Sequence, residues 1–282
     1  MHLRFIFGSR TRRSVKSFSK PLLSVVLGVV SCGFGGAQTP TGSGQAALPD
    51  APTPQVESIE DVTVRGLPMA VLKDQRAIWT SPGRIRTKDL VWLAPLAAAT
   101  GVAIATDHRT MSSVVSQDVN FNQASVDTSN VLIGGFLAAP VVLFGVGQYG
   151  HDSKARETGL MGVEAIVDGV VVEQGLKLVF WRERPTVDNS RGLFFQRSAG
   201  IDSSFPSSHA VLAWSSAAVI AERYRSRWVQ AGVYSLATGV SMTRVLGQAH
   251  FPTDVLVGSA AGWLVGHYVA KPHHWHGIRG RD

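Results

Sequence analysis

The sequence predicts an all-α protein with a core of about six helices. Six apolar segments of helical length follow one another from Lys88 onward, near residues 88–106, 129–148, 157–183, 207–224, 227–246 and 252–270. None of them alternates apolar with polar residues as a β-strand does. Glycine and small polar residues recur within them, as in tightly packed helical bundles. With 45% hydrophobic and 17% charged residues, the chain can also fill a large apolar core.

The N-terminus has the features of an export signal. Residues 1–20 are basic and residues 21–31 are apolar. The apolar run is too short to span a bilayer comfortably and is typical of a signal-peptide core, with a membrane anchor or a buried strand as the alternative. We therefore expect a signal peptide over residues 1–37. Cleavage before Gln38 fits the small residues that precede it, whereas Val29-Val30-Ser31-Cys32 resembles a bacterial lipoprotein box that would lipidate Cys32.

Composition divides the rest of the chain. We expect a disordered linker over 38–57, an N-terminal extension over 58–87, the helical domain over 88–272 and a polar tail over 273–282. Within the extension, a strand-like or irregular piece is expected near 60–66 and a surface helix near 68–79. Within the domain, residues 108–128 and 186–205 are predicted to be polar loops.

The net charge does not indicate a nucleic-acid partner. The formal charge is +7, but residues 1–20 supply six positive charges and residues 1–31 contain no acidic residue. The remainder of the chain is close to neutral, so the positive charge is mostly a feature of the targeting segment. Cys32 is the only cysteine, and the chain therefore cannot form an intramolecular disulfide.

A first stretch that could bind an anion lies at the end of the third apolar segment. Lys177 and Arg184 are seven residues apart, which is two helical turns, and Pro185 is expected to end the helix at this point. Two cations held on one helix face suit a phosphate group, whose charge is spread over several oxygens. Taken alone, such a pair is more often two surface cations.

A second stretch begins the fourth apolar segment with Pro206-Ser207-Ser208-His209. Proline and serine at a helix start leave backbone N–H groups unpaired, and the helix dipole adds to their attraction for anions. His209 is then in the first turn. A helix cap with an incidental histidine explains this stretch equally well when it is taken alone.

A third stretch joins Thr243-Arg244 to His250 and Asp254. Asp254 follows His250 by four residues, so its carboxylate could accept a hydrogen bond from one imidazole nitrogen. The other nitrogen would then be free to act as a nucleophile. Pro252 predicts that a helix begins between the two residues. Structural His/Asp pairs are also common, and this pair by itself is weak evidence.

Together the three stretches resemble the type 2 phosphatidic acid phosphatase (PAP2) superfamily, which also includes bacterial acid phosphatases and vanadium haloperoxidases. That family carries Lys, six residues, Arg-Pro; then Pro-Ser-Gly-His; then Ser-Arg, five residues, His, three residues, Asp. This chain matches the pattern in order and spacing, except that Ser208 replaces the usual glycine and Thr243 the usual serine. Glycine would allow the closest approach of the backbone to a phosphate, whereas Thr243 keeps the hydroxyl group.

The resemblance implies a PAP2-type helical bundle and a phosphatase that needs no metal and no cofactor. His250 would attack phosphorus and form a phosphohistidine, while Asp254 would orient His250. His209 would protonate the leaving oxygen and then activate water. The phosphate oxygens would be held by five further residues: Lys177, Arg184, Ser207, Ser208 and Arg244.

Two other functions fit the same residues. In a vanadium haloperoxidase the cations would hold vanadate with His250 as its ligand, but the chain lacks the large additional helical regions that such enzymes carry. A non-catalytic membrane or lipid-binding protein of the same fold is the third possibility, and the complete set of catalytic residues argues against it. We expect the substrate to be a phosphorylated lipid, a lipid pyrophosphate or a small phosphomonoester. The expected location is the periplasmic side of the cell envelope, in association with a membrane.

Overall fold

The computed structural model describes residues 64–271, which form seven α-helices and contain no β-strand. The helices are α1 (Leu67–Thr80), α2 (Leu90–Arg109), α3 (Val119–Tyr149), α4 (Ser153–Phe180), α5 (Ser208–Arg223), α6 (Arg227–Leu246) and α7 (Pro252–Val269). The predicted all-α class and the six core helices, α2 to α7, are confirmed. Helix α1 is the helix expected in the N-terminal extension. The predicted signal peptide, Cys32, the linker and the polar tail lie outside the described residues.

The predicted loop over residues 108–128 is mostly wrong. Helix α2 continues to Arg109 and is followed by a π-helical turn over Thr110–Val114. Helix α3 then begins at Val119, ten residues earlier than expected, because the side chain of Asp118 accepts a hydrogen bond from the backbone N–H of Phe121 at 2.8 Å and caps the helix. The first turns of α3 are polar, and their composition therefore resembles that of a loop.

Helix α4 ends at Phe180, before the predicted end at residue 183. Trp181 follows with φ 37° and ψ 57°, in the left-handed region, and its N–H donates to the carbonyl of Lys177 at 3.1 Å. A left-handed residue is a common way to end a helix. The chain then enters the irregular segment 181–207, which agrees with the loop predicted over 186–205.

Small residues bring α5 and α7 into backbone contact at the centre of the bundle. A Cβ atom placed on Gly262 would lie 2.2 Å from the carbonyl oxygen of Val211, and one placed on Gly266 would lie 2.2 Å from that of Ser215. Only glycine permits so close an approach. The close packing fixes the N-terminus of α7 beside the N-terminus of α5, where the second and third sequence stretches lie.

The other helices surround this pair. Buried residues of α3, α5 and α6 form one apolar cluster: Ile133, Phe136, Ala213, Ala217, Ala237 and Val240. Helix α4 packs on α3 through Gly159, where an added Cβ would lie 2.5 Å from the carbonyl oxygen of Pro140. As a result, the C-termini of α4 and α6 and the N-termini of α5 and α7 meet at one end of the bundle.

Two segments are long and apolar enough to cross a membrane by length and composition: Thr87–Val114 and Val119–Tyr149. They contain α2 and α3. Asp107 is the one buried residue that the structure describes in α2, and apolar side chains such as Val91 and Val102 are exposed along it. The exposed surface of α2 is therefore largely apolar.

Candidate active site

The end of α4 and the start of α5 are joined by a hydrogen-bonded group of three side chains. The Nζ of Lys177 lies 2.8 Å from Oε1 of Glu173 and donates to Oγ of Ser208 at 3.0 Å. The Ser208 hydroxyl in turn donates to Oε1 of Glu173 at 2.6 Å. Lys177 is almost completely buried. An ammonium group has three donors, so Lys177 keeps one N–H group for a ligand while the other two hold its position.

The N-terminus of α5 offers further donors. Ser207 precedes the first turn of α5 and is fully buried, and its hydroxyl hydrogen bonds to no group that the structure describes. The backbone N–H of Ser207 donates to the carbonyl of Asp254 at 3.1 Å, which ties α5 to α7. The first N–H groups of any α-helix lack partners within the helix. This end of α5 can therefore bind an anion through both the hydroxyl and the backbone.

Arg184 lies in the loop after α4 and not on the helix, so the expectation that it shares a helix face with Lys177 was wrong. The early helix end at Phe180 carries Arg184 across the site toward the third stretch. Its Nη1 donates to the carbonyl of Ala249 at 3.1 Å, and its Nη2 pairs with Oδ1 of Asp202 at 2.7 Å. The Asp202 side chain is 81% exposed, and a bound phosphate can replace a surface partner of this kind at small cost.

Arg244 is in the last turn of α6 and is nearly buried. Its Nη1 donates to the hydroxyl of Ser129 on α3 at 3.1 Å. The Nε atom is buried and has no hydrogen-bond partner within residues 64–271. An unsatisfied guanidinium N–H is costly inside a protein, and a bound anion would satisfy it.

His250 is buried in the turn between α6 and α7, and one of its nitrogens is held firmly. Nδ1 lies 2.7 Å from the backbone carbonyl oxygen of Ser204. A carbonyl oxygen only accepts hydrogen bonds, and Nδ1 is therefore the protonated nitrogen of the neutral ring. The Nε2 atom then carries the lone pair that a nucleophile needs.

Asp254 does not accept the hydrogen bond that the sequence led us to expect. Its Oδ2 is 3.6 Å from Nδ1 of His250, which is too long for a hydrogen bond. Oδ2 instead accepts from the backbone N–H of Phe251 at 2.8 Å. Burial lowers the pKa of His250, and the charge of Asp254 opposes this effect. Asp254 thus acts on His250 through its charge, while Ser204 fixes the tautomer.

The pKa of His209 indicates that the predicted residues converge. Burial lowers it to about 4, and the positive charges of Arg244, Arg184 and Lys177 contribute to the same shift. His209 is therefore neutral at neutral pH while no anion is bound. A phosphate dianion among the same cations would raise the pKa of His209 and favour its protonated form.

The fold thus brings all eight predicted site residues to one end of the bundle. Comparison with known proteins agrees with the motif assignment. Residues 159–277 match the sequence profile of the PAP2 superfamily. The matched residues include all eight predicted site residues, so the resemblance to this superfamily that the motifs indicated is confirmed. No curated protein matches the chain.

One solved structure is similar, the crystal structure of the first transmembrane PAP2 type phosphatidylglycerolphosphate phosphatase from Bacillus subtilis. The two chains are 19% identical, with a TM-score of 0.44, and the match covers 73% of this chain and 92% of that chain. A likeness this weak carries no argument of its own.

The PAP2 region contains the predicted site residues, but several of their partners come from outside it or from positions between the motif residues. Helix α3 supplies Ser129 to Arg244 and Asn130 to His209, whose Nε2 lies 3.0 Å from Oδ1 of Asn130. Both end the polar first part of α3, directly after Asp127 and Thr128, so their local composition gave no signal that could have identified them. Arg182 lies inside the first PAP2 motif, at a position that the motif leaves unspecified.

A separate acidic group lies away from the PAP2 motif residues. The carboxylates of Asp74, Glu164 and Asp168 are buried and within 4.8 Å of one another. Asp168 also accepts a hydrogen bond from Gln75 at 2.8 Å, which joins α1 to α4. It precedes Lys177 by nine residues, or roughly 13 Å along the helix. The group is therefore not part of the site at the end of the bundle.

Proposed function

We propose that this protein is a phosphatase that transfers the phosphoryl group of its substrate to His250 and then to water. The observation that carries the proposal is the state of His250. Its Nδ1 is bound to the Ser204 carbonyl, which leaves the lone pair on Nε2, and the charges of Arg184 and Arg244 act on the ring. Lys177 acts on His209 together with the same two arginines. Three cations around an uncharged nucleophile suit a phosphate group, since they neutralise its negative charge before attack.

In the first step Nε2 of His250 attacks phosphorus, and a P–N bond forms as the bond to the leaving oxygen breaks. His209 gives its proton to that oxygen. In the second step His209 takes a proton from water, the water oxygen bonds to phosphorus and the P–N bond breaks. The phosphorylated imidazole is cationic, and the nearby carboxylate of Asp254 stabilises it. Lys177, Arg184, Arg244, Ser207 and the backbone at Ser208 hold the phosphate oxygens in both steps.

We further propose that the substrate is a phosphorylated membrane lipid. The exposed apolar surfaces of α2 and α3 support this proposal, because they suit contact with lipid chains. The loop that carries Arg184 also exposes Leu193 and Phe195, and these side chains would meet the apolar part of a lipid whose phosphate lies in the site.

A substrate panel tests the function directly. Purified protein is assayed with phosphatidic acid, phosphatidylglycerol phosphate, undecaprenyl pyrophosphate and a soluble nitrophenyl phosphate. We expect phosphate release that is fastest with a lipid substrate and an acid-labile phosphoryl-enzyme in the wild type that is absent in His250→Ala. Halide oxidation on addition of vanadate, without phosphate release, would favour the haloperoxidase. Neither activity would favour a lipid-binding protein.

The location is tested separately. We propose export to the periplasmic side of the cell envelope and membrane association, from the basic N-terminus and the apolar run over 21–31. Mass spectrometry of the mature protein distinguishes an acylated Cys32 from a free Gln38. If the protein is not acylated, release into the soluble fraction by carbonate would show that the helices do not hold it in a bilayer.

A further inference from the structure

Arg182 is the centre of a buried ion-pair network beside the nucleophile. Its Nη1 donates to Oδ1 of Asp254 at 2.6 Å, and its Nη2 donates to Oδ2 of Asp107 at 2.7 Å. Its Nε donates to the carbonyl of Gly192 at 3.1 Å. The side chains of all three ionised residues are at most 2% exposed. A buried charge is costly unless it is fully paired, and here each charge has a partner of opposite sign.

Two aromatic rings enclose the guanidinium of Arg182. Its central carbon lies 4.0 Å from the ring centroid of Phe251 and 4.5 Å from that of Phe194. Phe251 directly follows His250 in the chain. Stacked rings and three hydrogen bonds leave the guanidinium no room to move, so Arg182 defines the position of every group that it binds.

Both carboxylates use their second oxygen on the first turn of α7. Oδ2 of Asp254 accepts from the N–H of Phe251 at 2.8 Å, and Oδ1 of Asp107 accepts from the N–H of Thr253 at 3.2 Å. The network therefore fixes the backbone on the C-terminal side of His250. Arg182 also fixes the other side of the imidazole, because its carbonyl accepts from the N–H of Ser204, whose own carbonyl binds His250.

The charges of the network complement those of the reaction. Burial raises the pKa of Asp107, and its hydrogen bond to Arg182 opposes this effect. With both carboxylates ionised, the two carboxylates and one guanidinium carry a net charge of −1. Without Asp107, the Asp254–Arg182 pair would be neutral, and nothing in it would offset the positive charge that His250 acquires when it is phosphorylated. Asp107 therefore preserves the negative charge that Asp254 presents to His250.

We propose that Arg182 and Asp107 are positioning residues for phosphoryl transfer: they orient Asp254 and the Ser204 carbonyl around His250, and Asp107 keeps the net charge of the network negative. This inference rests on the proposed function of His250. It also gives α2 a role in the reaction, because Asp107 is the one residue of α2 that the structure describes as buried. The apolar, exposed helix is thus tied to the catalytic centre through Asp107, which binds both Arg182 and the N–H of Thr253.

The test compares Asp107→Asn with Asp188→Asn, which removes a carboxylate that pairs with Arg191 on the exposed surface of the same loop as Arg182. Rates are divided by the amplitude of the burst that accompanies formation of the phosphoryl-enzyme from nitrophenyl phosphate. In this way only folded, competent molecules are counted. We expect kcat of Asp107→Asn to fall about 10-fold to 100-fold, the loss typical of removing a partner that orients a metal-binding histidine or carboxylate. KM should stay within about twofold, since phosphate-binding residues are untouched. Asp188→Asn should match the wild type.

The pH profile separates a positioning role from a purely structural one. Removal of a negative charge lowers the pKa of His250 further, so the acid limb of kcat/KM should move to lower pH in Asp107→Asn. Asp107→Glu restores the charge and should return the acid limb to its wild-type pH. A variant that only loosened the fold would lower the burst amplitude without moving the limb.

Each result has a defined meaning. Wild-type kcat per burst and an unchanged acid limb in Asp107→Asn would overturn the proposal, whereas full activity in His250→Ala would overturn the proposed function on which it rests. If Asp107→Asn yields no folded protein, Arg182→Lys decides. Lysine keeps the charge but cannot bridge both carboxylates in a planar arrangement. A normal kcat in that variant would show that the network does not position the site.

Discussion

The structure makes a quantitative prediction for Arg184→Lys. The guanidinium uses two different nitrogens, Nη1 toward Ala249 and Nη2 toward Asp202, so the loop holds it in an orientation in which a planar fork can bind two phosphate oxygens. Lysine keeps the charge but offers a single ammonium group. Loss of one preorganised donor to the transition state costs about 2.7–4 kcal/mol.

The exchange of the Arg184–Asp202 ion pair for the phosphate has a smaller effect on the rate than the loss of the donor. Arg184 must exchange Asp202 for the phosphate, but a pair with so exposed a carboxylate contributes at most about 1 kcal/mol. Removing it cannot compensate for the lost donor. We therefore expect kcat/KM to fall by roughly 10²-fold to 10³-fold, with little change in the temperature of unfolding.

The assay is steady-state hydrolysis of nitrophenyl phosphate and of the best lipid substrate, with thermal unfolding measured on the same samples. Arg191→Lys is the matched control, because Arg191 lies in the same loop and forms an exposed ion pair with Asp188. The control should be fully active. Equal kcat/KM for Arg184→Lys and the wild type would refute the placement of Arg184 at the phosphate.

Four further outcomes are expected. His250→Ala should lose turnover, and His209→Ala should be far slower with a lipid than with nitrophenyl phosphate, whose leaving group needs no proton; equal losses with both substrates would contradict the role of His209. Activity should survive EDTA and be inhibited by orthovanadate, and loss in chelator with recovery on addition of zinc or magnesium would contradict the mechanism. Sulfate should raise the unfolding temperature more at pH 5 than at pH 8. The bound anion raises the pKa of His209 from about 4, so His209 takes up a proton when sulfate binds, and this uptake is favoured at the lower pH. The difference between the two pH values should vanish in His209→Ala. Gly262→Ala should destabilise the fold by about 1–3 kcal/mol or more, because the new Cβ would lie 2.2 Å from the carbonyl oxygen of Val211. Gly232→Ala is the control. It lies at an open helix position and should stabilise the fold by up to about 1 kcal/mol.

Local sequence signals predicted the helices well where proline, capping residues and apolar length agreed. Helix α7 begins at Pro252 and α5 begins directly after Ser207, as the sequence indicated. The prediction failed where polar composition concealed a helix, as in the first turns of α3, and where a helix ended without proline or glycine, as at Trp181. A left-handed tryptophan has no local signature, because tertiary contacts stabilise it.

The sequence by itself determined which residues are candidates for the chemistry, since the spacing of the motifs from Lys177 to Asp254 is sufficient to identify them. Only the tertiary structure decided how His250 is held. Its partner is the Ser204 carbonyl, 46 residues away in the chain, and Asp254 is bound by Arg182, which also binds Asp107 at a separation of 75 residues. Every residue has a backbone carbonyl, so the residue types do not show which carbonyl binds His250. Pairings between distant residues depend on which helix ends meet, and the glycines of α7 settle this by allowing α5 to approach within backbone contact.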